Sequence, residues 1–171
     1  MSATASTDAA TRRQVGRASV GQGRVFDFES ELGADLTYMP MAVRFKLDQC
    51  GIRLSLAEWQ RLPEYRRREL LYAPCDHEDT IANYRQLVRS WVKESTGTEP
   101  LAIPTASDPP WASSDVPEQL AQAATQMGLS VPSPARWRIL SPLERFALLK
   151  LSRKEHDHRN LGRALREFGF L

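Results

Sequence analysis

The fold is decided by one stretch of sequence, Pro40-Met-Ala-Val-Arg-Phe-Lys-Leu-Asp-Gln-Cys-Gly51. Taken alone, its alternation of apolar and charged residues favours a β-strand. A related stretch, Pro117-Glu-Gln-Leu-Ala-Gln-Ala-Ala-Thr-Gln-Met-Gly128, is rich in alanine and favours only a helix. Both begin at a proline, which suits the start of a helix, and both end before a glycine, which suits its left-handed cap. We therefore predict a helix over Pro40–Cys50 that is apolar on two sides and central to a helical bundle.

The match between the two stretches continues beyond the glycines, after one inserted residue in the second copy. Gly51 matches Gly128 before the insertion, and Trp59 matches Trp137 after it. We interpret the chain as two degenerate helical repeats, although two amphipathic segments with a chance register remain an alternative. The matched positions predict a structural core of Cys50, Gly51, Trp59, Leu70, Leu71, Gly128, Trp137, Leu148 and Leu149.

Composition divides the chain into four parts that form one compact domain. Residues 1–24 are rich in Ala, Ser, Thr, Gly and Arg, which predicts a disordered tail. Residues 25–94 form the first helical repeat, and residues 115–171 form the second. Between them, residues 95–114 hold four of the eleven prolines and predict an extended connector, which Trp111 fastens to a folded half.

Local signals place the individual helices and give an all-α fold class. Two capping boxes, Ser55-Leu-Ala-Glu58 and Ser141-Pro-Leu-Glu144, predict helix starts. A longer helix is predicted to open at Asp76, and Val25–Phe28 is predicted to pack as an extended strap.

The overall composition limits the class of protein. The chain has 171 residues, of which 42% are hydrophobic and 26% are charged, as in a soluble globular domain. No apolar run is long enough to span a membrane, and the net charge of +2 argues against nucleic-acid binding. Two cysteines and no secretory segment predict a cytoplasmic protein.

The cysteines and histidines offer one alternative function. Cys50, Cys75, His77, His156 and His158 include a Cys-x-His and a His-x-His pair, which together could supply four zinc ligands. However, the two cysteines lie far apart in the sequence, unlike those of a compact zinc knuckle, and the repeat places Met127 opposite Cys50. We therefore predict no metal site and no cofactor, and keep a small metal- or cofactor-handling protein as an alternative. Cys75, before a predicted helix, is expected to have a lowered pKa.

Charged stretches offer a second alternative. Residues 129–171 carry nine basic and four acidic side chains, and Arg66, Arg67 and Arg68 are consecutive. Either feature could bind an anion or nucleic acid, but the arginine run is better explained as a solvated helix face. The sequence contains no phosphate loop, serine elbow or His-Glu-x-x-His motif, so we predict a protein that is not an enzyme.

The predicted helix Pro40–Cys50 also carries more charge than packing requires. Its counterpart needs only apolar residues at the matched positions, whereas the first copy adds Arg44, Lys46 and Asp48. We predict that these three residues rim a partner-binding surface. A solvated helix edge is the alternative explanation.

Several motifs of the first half occur in the order found in a known family. They are Phe26-Asp-Phe-Glu29, Pro40-Met-x-Val-Arg-Phe-Lys-Leu-Asp-x-Cys-Gly-Ile-x-Leu54, Trp59, Pro74-Cys75 and Tyr84-Arg85. Through them the chain resembles the nitrate reductase-associated protein family, known mainly from cyanobacteria. The second half is similar chiefly through Trp137 and Leu143-Glu-Arg-Phe-Ala147.

The resemblance implies a function but no catalysis. It implies a non-catalytic accessory protein whose partner is assimilatory nitrate reductase, an enzyme with a molybdopterin cofactor and an iron–sulfur cluster. On this basis we expect the chain to bind nitrate reductase and to assist its maturation or activity. The N-terminal tail and the arginine run at residues 66–68 depart from the family's pattern.

Overall fold

Helices make up most of the computed structural model, which describes residues 23–153 and 159–171. The predicted all-α class is confirmed. The α-helices are α1 (Met41–Cys50), α2 (Leu56–Arg61), α3 (Glu64–Tyr72), α4 (Glu78–Thr96), α5 (Glu118–Gln126), α6 (Pro134–Ile139), α7 (Pro142–Leu151) and α8 (Arg159–Glu167). Two short 3-10 helices cover Asp27–Leu32 and Pro110–Ala112, and two strands, β1 (Ile52–Arg53) and β2 (Leu101–Ala102), form a small antiparallel sheet.

The helix boundaries follow the local chemistry of the sequence. Gly51 ends α1 in the left-handed region, with φ 67° and ψ 40°, and its N–H donates to the Asp48 carbonyl. Both capping boxes are confirmed, since the Ser55 and Ser141 hydroxyls accept hydrogen bonds from the Glu58 and Glu144 amides. These are short-range signals, which is why the sequence places them correctly.

Helix α1 lies at the centre of the bundle. It packs against α3 and α4 of the first half and against α7 of the second half. The contact with α7 joins the two halves of the chain. No helix in the described ranges is both long and apolar enough to cross a membrane.

The two tryptophans occupy similar environments in the two halves. Trp59 and Trp137 are both fully buried. The Trp59 Nε1 donates to the carbonyls of Leu36 and Tyr38, each at 2.8 Å, and the Trp137 Nε1 donates to the Ser113 carbonyl at 3.0 Å. The register that matches Pro40 with Pro117 also matches Leu36 with Ser113. This shared hydrogen bond supports the repeat that we propose from the sequence.

The leucine pairs differ between the halves. Leu70, Leu71 and Leu148 are buried, whereas Leu149, for which the sequence predicts a core position, is only half-buried. The Leu149 carbonyl takes part in polar contacts, because it accepts from the Gln119 side chain and from the Ser152 hydroxyl. Leu149 therefore packs at the edge of the core, and the core prediction is wrong for Gly128, which is exposed.

The connector is more ordered than predicted. Helix α4 continues to Thr96 and ends at Gly97, which has φ 80°, so the boundary expected at residue 95 is slightly early. The strand Leu101–Ala102 then pairs with β1, which adds the small sheet that the sequence did not predict. Trp111 does fasten the connector to the fold, because its ring packs edge-on against Phe45 at 5.0 Å.

The N-terminal region also differs from the expectation. Most of the predicted tail, residues 1–22, lies outside the described residues. Gly23 donates its N–H to the Leu71 carbonyl, and Arg24 pairs with Glu144 at 3.0 Å.

The predicted extended strap at Val25–Phe28 is correct only as far as Phe26, whose backbone is extended. The chain then enters a 3-10 helix at Asp27. The cause is the buried Glu29 carboxylate, which accepts from the Phe26 and Met41 amides and so draws this segment onto the start of α1.

Candidate functional site

Lys46 is buried, and it holds the end of one helix against another. Its ammonium donates to the Leu71 and Ala73 carbonyls at 2.7 Å each and to the Leu70 carbonyl at 3.3 Å. These carbonyls lie at the C-terminus of α3, where backbone acceptors lack helical donors and a positive charge is favourable. Only 5% of Lys46 is exposed. The prediction that Lys46 rims a partner-binding surface is therefore wrong.

The residues around Lys46 come from three separate motifs of the sequence. The Tyr84 hydroxyl donates to the Leu70 carbonyl at 3.1 Å, and the Arg85 Nε donates to the Cys50 carbonyl at 2.6 Å. The Cys75 thiol donates to the Lys46 carbonyl at 3.8 Å. Several of the family-like residues thus fasten α1, α3 and α4 to one another. The sequence did contain a signal for the burial of Lys46, because Lys46 lies one helical turn from both Ala42 and Cys50, which are buried.

Burial sets the protonation of this cluster. It lowers the pKa of Lys46 to about 8 and raises the pKa of Cys50 to about 11 and of Cys75 to about 12. At neutral pH Lys46 is therefore charged and both thiols carry their protons. The lowered pKa that was expected for Cys75 is wrong, because the thiol is buried and α4 begins only at Glu78. A protonated buried thiol is a poor nucleophile and a poor metal ligand.

The possible zinc ligands are not brought together in the described part of the chain. The His77 imidazole is exposed and lies 3.7 Å from the Asp76 carboxylate, whereas Cys50 and Cys75 are buried. His156 and His158 lie outside the described residues. Within residues 23–153 and 159–171, no group of three or more His, Cys, Asp or Glu residues is arranged to hold a metal ion.

The arginine run has three different environments. Arg66 pairs with Glu94 at 2.8 Å and Arg68 pairs with Glu64 at 2.6 Å. Arg67 is 8% exposed, and its Nε has no hydrogen-bond partner among the described residues. The solvated face that we predicted therefore applies to Arg68 and not to Arg67.

Arg145 takes the position of Arg67 in the second half, in the register that matches Trp59 with Trp137. Unlike Arg67, it has several acceptors. Its guanidinium donates to the carbonyls of Trp137, Arg138 and Ser113 at 3.1, 2.8 and 3.2 Å. The matched position thus stabilises the second half through Arg145, whereas Arg67 lacks these contacts in the first half.

The two remaining residues predicted for partner binding do reach the surface. Arg44 is exposed, and Asp48 lies 3.7 Å from the ammonium of Lys150 on α7. We call Arg44, Asp48 and Lys150 the α1–α7 rim. The structure thus replaces Lys46 with Lys150, which belongs to the other half of the chain and which the sequence reasoning missed.

One cleft lies away from this rim. It measures about 250 Å³ and lies between the first 3-10 helix and α8. Two arginines, Arg163 and Arg166, line it together with the carboxylates of Asp27 and Glu167. The opposite charges balance, so the cleft does not favour a charged ligand of either sign.

Comparison with known proteins assigns the whole fold to one family. The family model of the conserved nitrate reductase-associated protein matches residues 25–168. No curated protein and no solved structure matches the chain. The match begins just before the first 3-10 helix and ends just after α8, so it includes both halves of the bundle. The chain belongs to the conserved nitrate reductase-associated protein family.

Proposed function

We propose that the chain is a non-catalytic accessory protein that binds nitrate reductase and assists its maturation or activity. The family match over residues 25–168 carries this proposal, because the family's description names an association with nitrate reductase. The site of action that we propose is the cytoplasm, where the reducing conditions suit two free cysteines.

The chemistry of the Lys46 cluster supports an accessory role. Nucleophilic or general-base catalysis needs groups whose pKa is shifted toward reactivity at working pH. Here burial raises the pKa of both thiols, and the Lys46 ammonium is committed to three backbone carbonyls. These groups serve the packing of α1, α3 and α4.

A cellular experiment tests the role in maturation. In cells that lack the chain, we expect nitrate reductase protein to accumulate while its activity and its bound molybdopterin per enzyme molecule decrease. Restoring the wild-type chain should restore both quantities. Unchanged activity and cofactor content per enzyme molecule would contradict the proposed role.

A further inference from the structure

The α1–α7 rim stands on a rigid aromatic base. The Phe45 ring of α1 packs edge-on against Phe146 of α7 at 5.2 Å and against Trp111 of the connector at 5.0 Å. The Lys150 ammonium lies 4.9 Å from the centre of the Phe146 ring. The rim charges are therefore held at fixed positions where the two halves of the chain meet.

In the described part of the chain, positive charge exceeds negative charge around Lys150. Asp48 is its acidic partner, at 3.7 Å. The pKa of Lys150 is lowered, first by partial burial and then by the positive charges of Arg153 and Arg44, against the opposing effect of Asp48. Among the described residues, Arg44 and Arg153 thus act on the Lys150 ammonium against the carboxylate of Asp48, and the repulsion between the cations would be relieved by further negative charge.

Arg44 has a second carboxylate in its surroundings, but that group faces inward. The charge of Glu29 acts on the Arg44 guanidinium. Glu29 is buried, and its carboxylate already accepts from the amides of Phe26 and Met41. The Arg44 Nε itself donates to the Met39 carbonyl at 3.0 Å. Glu29 therefore acts on the Arg44 charge from the buried side, while the rim that faces the solvent carries two cations and one carboxylate.

Four other arginines differ in this respect, because each has a carboxylate partner. Their ion pairs are Arg24–Glu144, Arg66–Glu94, Arg68–Glu64 and Arg163–Glu31. Arg89 and Lys93 share Glu99, but half or more of each cation's side chain is exposed, whereas the Lys150 ammonium is held beside the Phe146 ring. Charge complementarity therefore favours the α1–α7 rim as the place where an acidic surface docks.

We propose that the α1–α7 rim binds an acidic surface segment of nitrate reductase through Arg44 and Lys150. This inference rests on the proposed function and adds the surface and the charge of the partner. Asp48 orients Lys150 and also reduces the positive charge of the rim. It follows that removing the Asp48 charge should strengthen binding, whereas a merely structural ion pair would predict no gain.

The test uses the full chain immobilised and exposed to purified nitrate reductase, and in parallel to a fluorescent poly-glutamate peptide. The double variant R44Q/K150Q should weaken capture of the enzyme about tenfold, and K150Q alone should weaken it less. D48N should strengthen capture, and added salt should weaken wild-type binding. The matched control is R61Q/R138Q, which removes two exposed arginines elsewhere and should leave capture within about twofold.

The outcomes separate this inference from the proposed function. If the wild type captures nitrate reductase and R44Q/K150Q captures it equally well, the rim is not the docking surface and the proposed function stands. If the wild type binds poly-glutamate through the rim but not nitrate reductase, the acid-binding rim stands and the proposed function is wrong. If the wild type and R44Q/K150Q bind neither ligand, both the proposed rim and the proposed function are wrong. Thermal melting of each variant verifies that it is folded. If R44Q/K150Q does not fold, the capture of nitrate reductase by K150Q alone shows whether the rim is the docking surface.

Discussion

Replacing Lys46 with Met tests whether a buried ammonium holds the end of α3. Methionine has a similar length and no charge, so it removes the three hydrogen bonds and leaves little cavity. The Leu70 and Leu71 carbonyls keep other donors, namely the Tyr84 hydroxyl and the Gly23 amide. The Ala73 carbonyl keeps no other donor among the described residues.

The expected cost follows from that inventory of hydrogen bonds. An orphaned buried acceptor costs about 1–3 kcal/mol. Loss of a positive charge at the C-terminus of α3 adds to this cost, and removal of a buried charge offsets part of it. We expect Lys46→Met to lower the free energy of unfolding by about 2 kcal/mol near pH 10, which is about 4–8 °C in Tm for a chain of this size. At neutral pH the loss should be smaller, because the variant also removes a charge that burial disfavours.

The pH dependence gives a second, independent readout. The pKa of Lys46 is about 8 in the folded chain and 10.5 in its ordinary state. Between these values the unfolded chain keeps a proton that the folded chain has released, so this group makes stability increase with pH. Lys46→Met should lack that contribution.

The assay is chemical unfolding followed by circular dichroism, at pH values from about 7 to 10, which span both protonation states of Lys46. Lys93→Met is the matched control, because Lys93 is exposed and pairs with Glu99 at the surface. We expect it to change stability by no more than about 0.5 kcal/mol. If Lys46→Met unfolds like the wild type near pH 10, or if its stability changes with pH as that of the wild type does, the Lys46 ammonium does not hold the end of α3.

Three further predictions concern the core. Trp59→Ala and Trp137→Ala should each lower the free energy of unfolding by about 3–5 kcal/mol in a denaturant titration, since both rings are fully buried; a loss below about 1 kcal/mol for either would contradict the packing. Arg145→Met should destabilise the chain, because the Arg138 carbonyl loses its donor and the Ser113 and Trp137 carbonyls each lose one of two donors. Arg67→Met should leave stability unchanged or increase it, and the reverse order in thermal melting would overturn this assignment. Between about pH 9 and 12 the folded chain keeps the Cys75 proton that the unfolded chain releases, so Cys75 makes the free energy of unfolding decrease with pH. In unfolding titrations, the free energy of unfolding of Cys75→Ala should therefore decrease less steeply over this range.

Sequence reasoning is accurate where short-range chemistry decides the structure. The prolines, the left-handed glycine and the capping boxes each act within a few residues, and they place α1, α2 and α7 correctly. The alternation in α1 is resolved as a helix only by comparison with the second half. These helix boundaries depend on neighbouring residues, so they can be predicted without knowing the tertiary fold.

The errors mostly involve contacts between distant parts of the chain. The sequence places Lys46 at the surface because the carbonyls that bind it lie far away in the chain, at the end of α3. It misses Lys150 at the rim because that residue belongs to the other half of the chain. The pairing of Leu101 and Ala102 with β1 depends on how the connector folds back. Charge and hydropathy of single residues do not encode such contacts.

Association with nitrate reductase can be measured by direct binding of the two purified proteins. Isothermal titration calorimetry of the full chain into nitrate reductase, in its cofactor-free and its mature form, should show saturable binding to at least one form. That binding should weaken as the salt concentration increases, because the proposed contact is between charges. No binding to either form at low salt would contradict the account.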